Sequence, residues 1–140
     1  MASFEQAINK VLKYEGGYAN NPSDKGGETY MGISRKANPR NAIWPIIDEY
    51  KKKYTTKSTL NAALKKDNNI TQIVKKTYKS NYWDKFKLDK MYNQRLAENI
   101  FDDCVNRGVG ATAYSLHLLL DIEPCVKRVS NQLLNKLKYC

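Results

Sequence analysis

The chain has 140 residues, with 24 Lys and Arg against 14 Asp and Glu and a formal net charge of +10 at pH 7. That length fits one domain able to bury about 70% of its unfolded surface, and no continuous apolar stretch is long enough to cross a bilayer as a helix. Three cysteines without CxxC spacing and one histidine cannot complete a zinc set, so no metal is expected, and the charge favours a polyanionic partner.

Residues 3–14 place Phe4, Ala7, Ile8, Val11 and Leu12 at helical spacing, and Ser3 with Gln6 makes a capping box. Gly16-Gly17 stops this helix. Residues 18–34 are mostly turn chemistry and predict two short extended pieces, a small hairpin. A helix-rich remainder follows. One helical turn is expected at 34–38, closed by Asn38-Pro39, then a helix at 44–53 with Pro45 in its first turn. Ser58 or Thr59 caps 60–66, and further helices run over 70–86, 93–106, 111–120 and 126–139, with a break at Gly108 and Gly110. The 111–120 segment is strongly apolar and is expected to be the most buried helix. His117, inside it, reads as a satisfied core histidine.

No internal repeat, linker or low-complexity stretch interrupts the chain, so residues 1–140 read as a single domain. The opening MASFEQAINKV carries charges where a secretory leader has a continuous apolar core, which predicts synthesis in the cytoplasm without a signal peptide. Cys104, Cys125 and Cys140 are accordingly expected as free thiols. The lysines at 51–53, 65–66, 75–76 and 85–90 are scattered and form no single arm, the pattern of a solvated face.

Chemistry concentrates between Tyr14 and Ser34. Glu15, Asp24 and Glu28 put three carboxylates within fourteen residues, in a loop rich in glycine, asparagine and proline. Glu15 falls at the C-terminal end of the first helix, beside unpaired carbonyls and the negative pole of the dipole. Both favour the protonated acid that a general acid catalyst needs. Asp24 also reads as a turn former, Glu28 as a structural partner of nearby donors, and Thr29 as a strand residue.

The string EGGY at 15–18, followed by NNPSDKGGETYMGIS, resembles the signature of glycoside hydrolase family 108, the EGGY-motif N-acetylmuramidases of phages and bacteria. A second block, YWDKFKLDKM from Tyr82 and LAENIFDDCVNRGVGAT from Leu96, resembles the family's downstream pattern. The resemblance covers about residues 4–120. It implies a mainly α, lysozyme-like domain with a short β-hairpin or loop region after the first helix. It implies cleavage of the peptidoglycan glycan strand between N-acetylmuramic acid and N-acetylglucosamine, with Glu15 as the essential acid and no cofactor.

Glu15 and Asp24 are separated by eight residues, and Thr29 follows after four more. This resembles the Glu–Asp–Thr arrangement of many phage lysozymes, in which Asp and Thr hold the attacking water. Catalytic roles are therefore expected for Glu15, Asp24 and Thr29. Substrate contacts are expected from Tyr18, Glu28, Tyr30, Trp83, Asp103 and Asn106. Aromatic faces suit pyranose C–H surfaces, and Asp103 and Asn106 share one helix face. Family members often carry a small C-terminal wall-binding domain; residues 121–140 leave room for one helix, a candidate remnant of it. The expected partner is bacterial peptidoglycan, met after release as an endolysin or as a virion component. No nucleic acid is expected, and the chain is expected to be a monomer. The alternative from another class is a non-catalytic basic module for wall or nucleic acid on the same scaffold.

Overall fold

The computed structural model describes residues 1–23 and 25–140. Asp24 lies outside the described residues. Among them the chain forms seven α-helices and one small sheet, a mainly α fold as expected. The chain divides into two compact units, one of residues 1–11 and 77–140, the other of residues 12–76.

Helix α1 (Phe4–Tyr14) buries Ala7, Ile8 and Val11, the stripe its sequence spacing predicts. Its cap differs from the expected box. The Gln6 N–H donates to Ser3 Oγ at 3.4 Å, but the Ser3 N–H is taken by the Gln94 side chain, far along the sequence. The reciprocal arm of the box is thus tertiary.

In the unit of residues 12–76, three strands replace the expected hairpin: β1 (Ala19–Asn20), β2 (Glu28–Tyr30) and β3 (Ile33–Ser34), antiparallel in that order. Ala19 and Ser34 both pair with Thr29, Asn20 pairs with Glu28, and Tyr30 pairs with Ile33. The expected helical turn at 34–38 is present, with the Asn38 N–H donating to the Ser34 carbonyl at 2.9 Å. Helix α2 (Ile43–Lys53) buries Ile43, Trp44 and Ile47. Helix α3 (Lys57–Lys66) starts earlier than expected. Its cap is Thr56, whose Oγ1 accepts from the Thr59 N–H at 3.2 Å, so Thr59 supplies the capped donor. Helix α4 (Asn68–Tyr78) follows.

The expected helix over 70–86 is continuous in path but not in winding. After α4 come a π-helical turn at Lys79–Trp83 and 3-10 turns at Asp84–Phe86 and Leu88–Lys90. Helix α5 (Gln94–Arg107) is capped by Asn93, which accepts from the Leu96 N–H at 3.0 Å. It breaks at Gly108, whereas Gly110 lies inside helix α6 (Val109–Leu119). In the unit of residues 1–11 and 77–140, Trp83 and Phe101 meet edge-to-face with centroids 5.5 Å apart, and Phe4 packs on both.

Two helix expectations are corrected. Helix α6 is not the most buried: only Thr112, Ala113 and His117 are buried, and Leu118 and Leu119 are exposed. High apolar content without a stripe does not decide burial, because its leucines fall on all sides of the helix. Helix α7 (Asn131–Lys138) is shorter than the expected 126–139, since Ser130 caps it through the Leu133 N–H. Ser130 Oγ also meets His117 Nε2 at 2.8 Å, and His117 Nδ1 lies 2.7 Å from the Ala113 carbonyl. His117 is thus the satisfied core residue that its apolar setting implied. Cys104, Cys125 and Cys140 are free thiols.

Candidate active site

Helix α1 ends at Tyr14, and the Glu15 N–H still donates to the Leu12 carbonyl at 3.3 Å. Glu15 therefore sits one residue past the last turn, half-buried. Its carboxylate has no hydrogen bond or ion pair among the described residues.

The two glycines that follow are not equivalent. A Cβ built on Gly16 meets nothing within 4 Å, while one on Gly17 would collide with the carboxamide oxygen of Asn61. Asn61, from α3, approaches because it clamps the next residue. Its Oδ1 accepts from the Tyr18 N–H at 2.6 Å, and its Nδ2 faces the Tyr18 carbonyl at 3.5 Å. A side-chain amide here takes the place of a neighbouring strand, and only glycine at 17 leaves room for it.

Tyr18 turns its ring inward, and its hydroxyl donates to Glu28 Oε2 at 2.5 Å. Glu28 also accepts from Arg35 at 2.8 Å and from Lys51 at 2.8 Å, with its side chain only 12% exposed. Arg35 is held from the far side by a two-pronged contact with Asp48, both prongs 2.8 Å, and stacks over the Trp44 ring. Burial works against the Glu28 charge, but the hydrogen bonds from Lys51, Tyr18 and Arg35 outweigh it and hold its carboxyl below the usual range. The same contact with Glu28 raises Lys51, and burial followed by the Glu28 bond raises the Tyr18 phenol. Glu28 is an anion fully occupied by three donors.

Thr29 is the next residue in β2, so its side chain leaves the sheet on the opposite face from Glu28 and Tyr30. It is half-exposed and shares that face with its ladder partners Ala19 and Ser34. Beyond Tyr18 opens a groove of about 380 Å³ lined by Tyr18, Asn20, Lys51, Tyr54, Thr55, Thr56, Lys57 and Leu60.

The remaining expected contacts fall elsewhere. Tyr30 is completely buried, and among the described residues its hydroxyl has no hydrogen-bond partner. Trp83 is also completely buried, with its indole N–H donating to Asp89 at 2.6 Å. Neither ring offers a face to a sugar, which corrects the expectation: both are packing residues. Asp103 is engaged by both prongs of Arg107 at 2.6 Å and by the Thr112 hydroxyl at 3.1 Å, and these contacts hold it below the usual carboxylate range. Asn106 is exposed. Trp83, Asp103 and Asn106 belong to the unit of residues 1–11 and 77–140; Glu15, Tyr18, Glu28, Thr29 and Tyr30 belong to that of residues 12–76.

Sequence reasoning missed Asn61, Arg35, Asp48 and Lys51. Only Asp48 and Lys51 leave a trace, an acid and a base three apart on one helix. Among the described residues no group of three or more His, Cys, Asp or Glu side chains could hold a metal, and no helix is long and apolar enough to cross a membrane.

The model of the family described as Glycosyl hydrolase 108 matches residues 8–108. The chain belongs to this family. At the family level it is a peptidoglycan hydrolase. The matched segment of this glycosyl hydrolase 108 member contains every candidate residue from Glu15 to Asn106. Among solved structures it is similar to SagA of Brucella abortus, with a TM-score of 0.60 and 22% identity over 96% of this chain and 68% of the other. At that identity the likeness speaks for the lysozyme-like fold alone. A comparison with curated proteins returns no match for the hydrolase.

Proposed function

We propose that this chain is a lysozyme in the strict sense, an N-acetylmuramidase that cleaves between N-acetylmuramic acid and N-acetylglucosamine. Residues 1–140 serve as one catalytic domain, working as a monomer without a cofactor. The observation that carries the reading is the contrast between Glu15 and Glu28. Glu28 is sealed by three donors, whereas Glu15, one residue past α1, is half-exposed and has no partner among the described residues. A group that must hand a proton to a substrate needs the second environment.

In this mechanism the Glu15 carboxyl protonates the glycosidic oxygen as the bond to the muramic acid anomeric carbon breaks. The electron pair of that bond leaves with the oxygen. A second carboxylate, which the sequence spacing assigns to Asp24, steadies the sugar cation or the incoming water. The Thr29 hydroxyl, on the sheet face away from Glu28, orients that water. Tyr18 and the groove beyond it receive neighbouring sugars. The +10 charge draws the enzyme to the anionic wall. Its working context is wall lysis after release from the cytoplasm, as an endolysin or a virion component.

The test is digestion of purified peptidoglycan, with the new reducing ends identified by mass spectrometry after borohydride reduction. The reading requires reduced muramic acid ends from the parent and nearly none from Glu15→Gln. Reduced glucosamine ends would assign the neighbouring bond and sink the specificity. A parent that pellets with the wall and leaves its glycan intact would be a binding module.

A further inference from the structure

Around Phe86 and α7, within the unit of residues 1–11 and 77–140, lies a second pocket of about 340 Å³. Its floor is apolar: Phe86, Met91 and Leu137 are each 1% exposed. Its rim is cationic, formed by Lys87, Lys90 and Lys138, with the carboxamides of Asn131 and Asn135 between them. Among the described residues no carboxylate lines it. The nearest acids in sequence are engaged elsewhere: Asp84 and Asp89 share Lys79, and Asp89 also accepts from Trp83. None of the three rim lysines has an ion pair among the described residues.

Three like charges round one hollow repel each other, and an anion that enters relieves that repulsion. The backbone also holds Lys87 in an uncommon conformation, φ +49°, between the two 3-10 turns. A lysine at positive φ is uncommon enough to call for a reason in its side chain's position. Beside the rim, Tyr92 and Tyr139 lie with ring centroids 6.0 Å apart, both exposed, and Lys138 Nζ sits 5.4 Å above the Tyr139 ring. Exposed aromatic rings suit the C–H face of a sugar or polyol. Lysines and carboxamide donors suit phosphate oxygens. The pocket joins Phe86, Lys87, Lys90 and Met91 from within the family-matched residues to α7, which lies beyond them.

We propose that this pocket binds the repeating phosphodiester of a wall polyol-phosphate or sugar-phosphate polymer, and so tethers the enzyme independently of the glycan it cuts. That the polymer meets the protein at a cell wall rests on the hydrolase reading; that the pocket takes a polymeric phosphodiester does not. The phosphate sits between Lys87, Lys90 and Lys138, and the polyol carbons lie along Tyr92 and Tyr139.

The test uses the full chain at low temperature and reads binding, so it stands whether or not Glu15 is the acid. A glycerol-phosphate oligomer is titrated into the parent, into Lys90→Gln/Lys138→Gln and into Lys65→Gln/Lys66→Gln. The last pair removes the same charge from α3. Circular dichroism melts establish that each variant is folded. Loss of two direct phosphate contacts should weaken the pocket variant by about tenfold or more at low salt, and the α3 variant by about twofold or less. Whole walls should show the same order, and walls stripped of phosphodiester polymers with hydrofluoric acid should bind parent and pocket variant alike. Equal losses in both variants would reduce the effect to net charge and overturn the proposal. So would undiminished discrimination on stripped walls. A DNA oligonucleotide that depends on the pocket more strongly than the glycerol-phosphate oligomer does would identify a nucleic-acid site instead.

Discussion

Glu28→Gln separates the two glutamates of the loop. The carboxylate is 12% exposed and accepts from Tyr18, Arg35 and Lys51. Glutamine is the same shape, but one of its two terminal atoms becomes a donor and faces donors. Removing one member of a buried ion pair costs about 3–5 kcal/mol. Arg35 and Lys51 are 35% and 37% exposed and recover hydration, and Arg35 keeps Asp48, so a loss of about 2 kcal/mol is expected at pH 7. For a domain of this size that lowers Tm by about 6 °C. Melting by circular dichroism, with lysis of a wall suspension at 25 °C on the same preparations, measures both. Stability should fall while lysis per folded molecule holds. The pH dependence has a fixed sign. The folded carboxyl of Glu28 is depressed, so its stabilisation is complete above the unfolded value, about 4.3, and fades as pH falls through the folded value. The Tm gap between parent and variant should therefore narrow below about pH 4. An unchanged Tm with abolished lysis would refute the argument and make Glu28 a catalytic carboxylate.

Glu15→Gln should leave Tm unchanged and cut lysis by about a hundredfold or more, the scale of general acid catalysis; a smaller loss would remove Glu15 from that role. Gly17→Ala should cost about 1–3 kcal/mol through its collision with Asn61, and Gly16→Ala much less; equal losses on denaturant titration would show that the clamp is not what the glycine serves. Tyr30→Phe removes a buried hydroxyl without a partner among the described residues, so melting should hold or rise and lysis persist; lost lysis would mean the hydroxyl reaches substrate. Burial pushes the Cys104 thiol up to about 12, so iodoacetamide at pH 8 should label the exposed Cys140 and spare Cys104 until urea unfolds the chain; peptide mapping that finds Cys104 labelled first would contradict its burial.

The helices that bury a stripe were legible because spacing alone reveals a stripe. Ala7, Ile8 and Val11 in α1, and Ala97, Ile100 and Phe101 in α5, lie inward at helical intervals. Helix α6 departs from expectation because apolar content without a stripe does not give burial. The change of winding after Tyr78 was invisible, since π and 3-10 turns differ in hydrogen-bond partner and not in residue type. At the site, the place of Glu15 just past the end of α1 was legible from the helix stop at Gly16-Gly17. Glu28 reads in sequence both as a substrate contact and as a structural partner of nearby donors, and its three donors accord with the second. Its actual partners could not be read, because Arg35 and Lys51 lie seven and twenty-three residues away and converge only through the fold. Tyr30 and Trp83 show the opposite limit: an aromatic near an acid looks alike in sequence whether it lines a cleft or fills a core.

The carboxamide of Asn61 closes a loop of forty-three residues back onto Tyr18. A synthetic peptide spanning the motif would therefore lack its shape, and so would a transplant of those four residues onto the end of a foreign helix. A transplant would need an asparagine delivered from a second helix at the same height, with glycine retained opposite it. Among homologous sequences the two positions should drift as a couple: where the amide is replaced by a smaller side chain, the second glycine becomes free to acquire a methyl group, and the first has no such dependence.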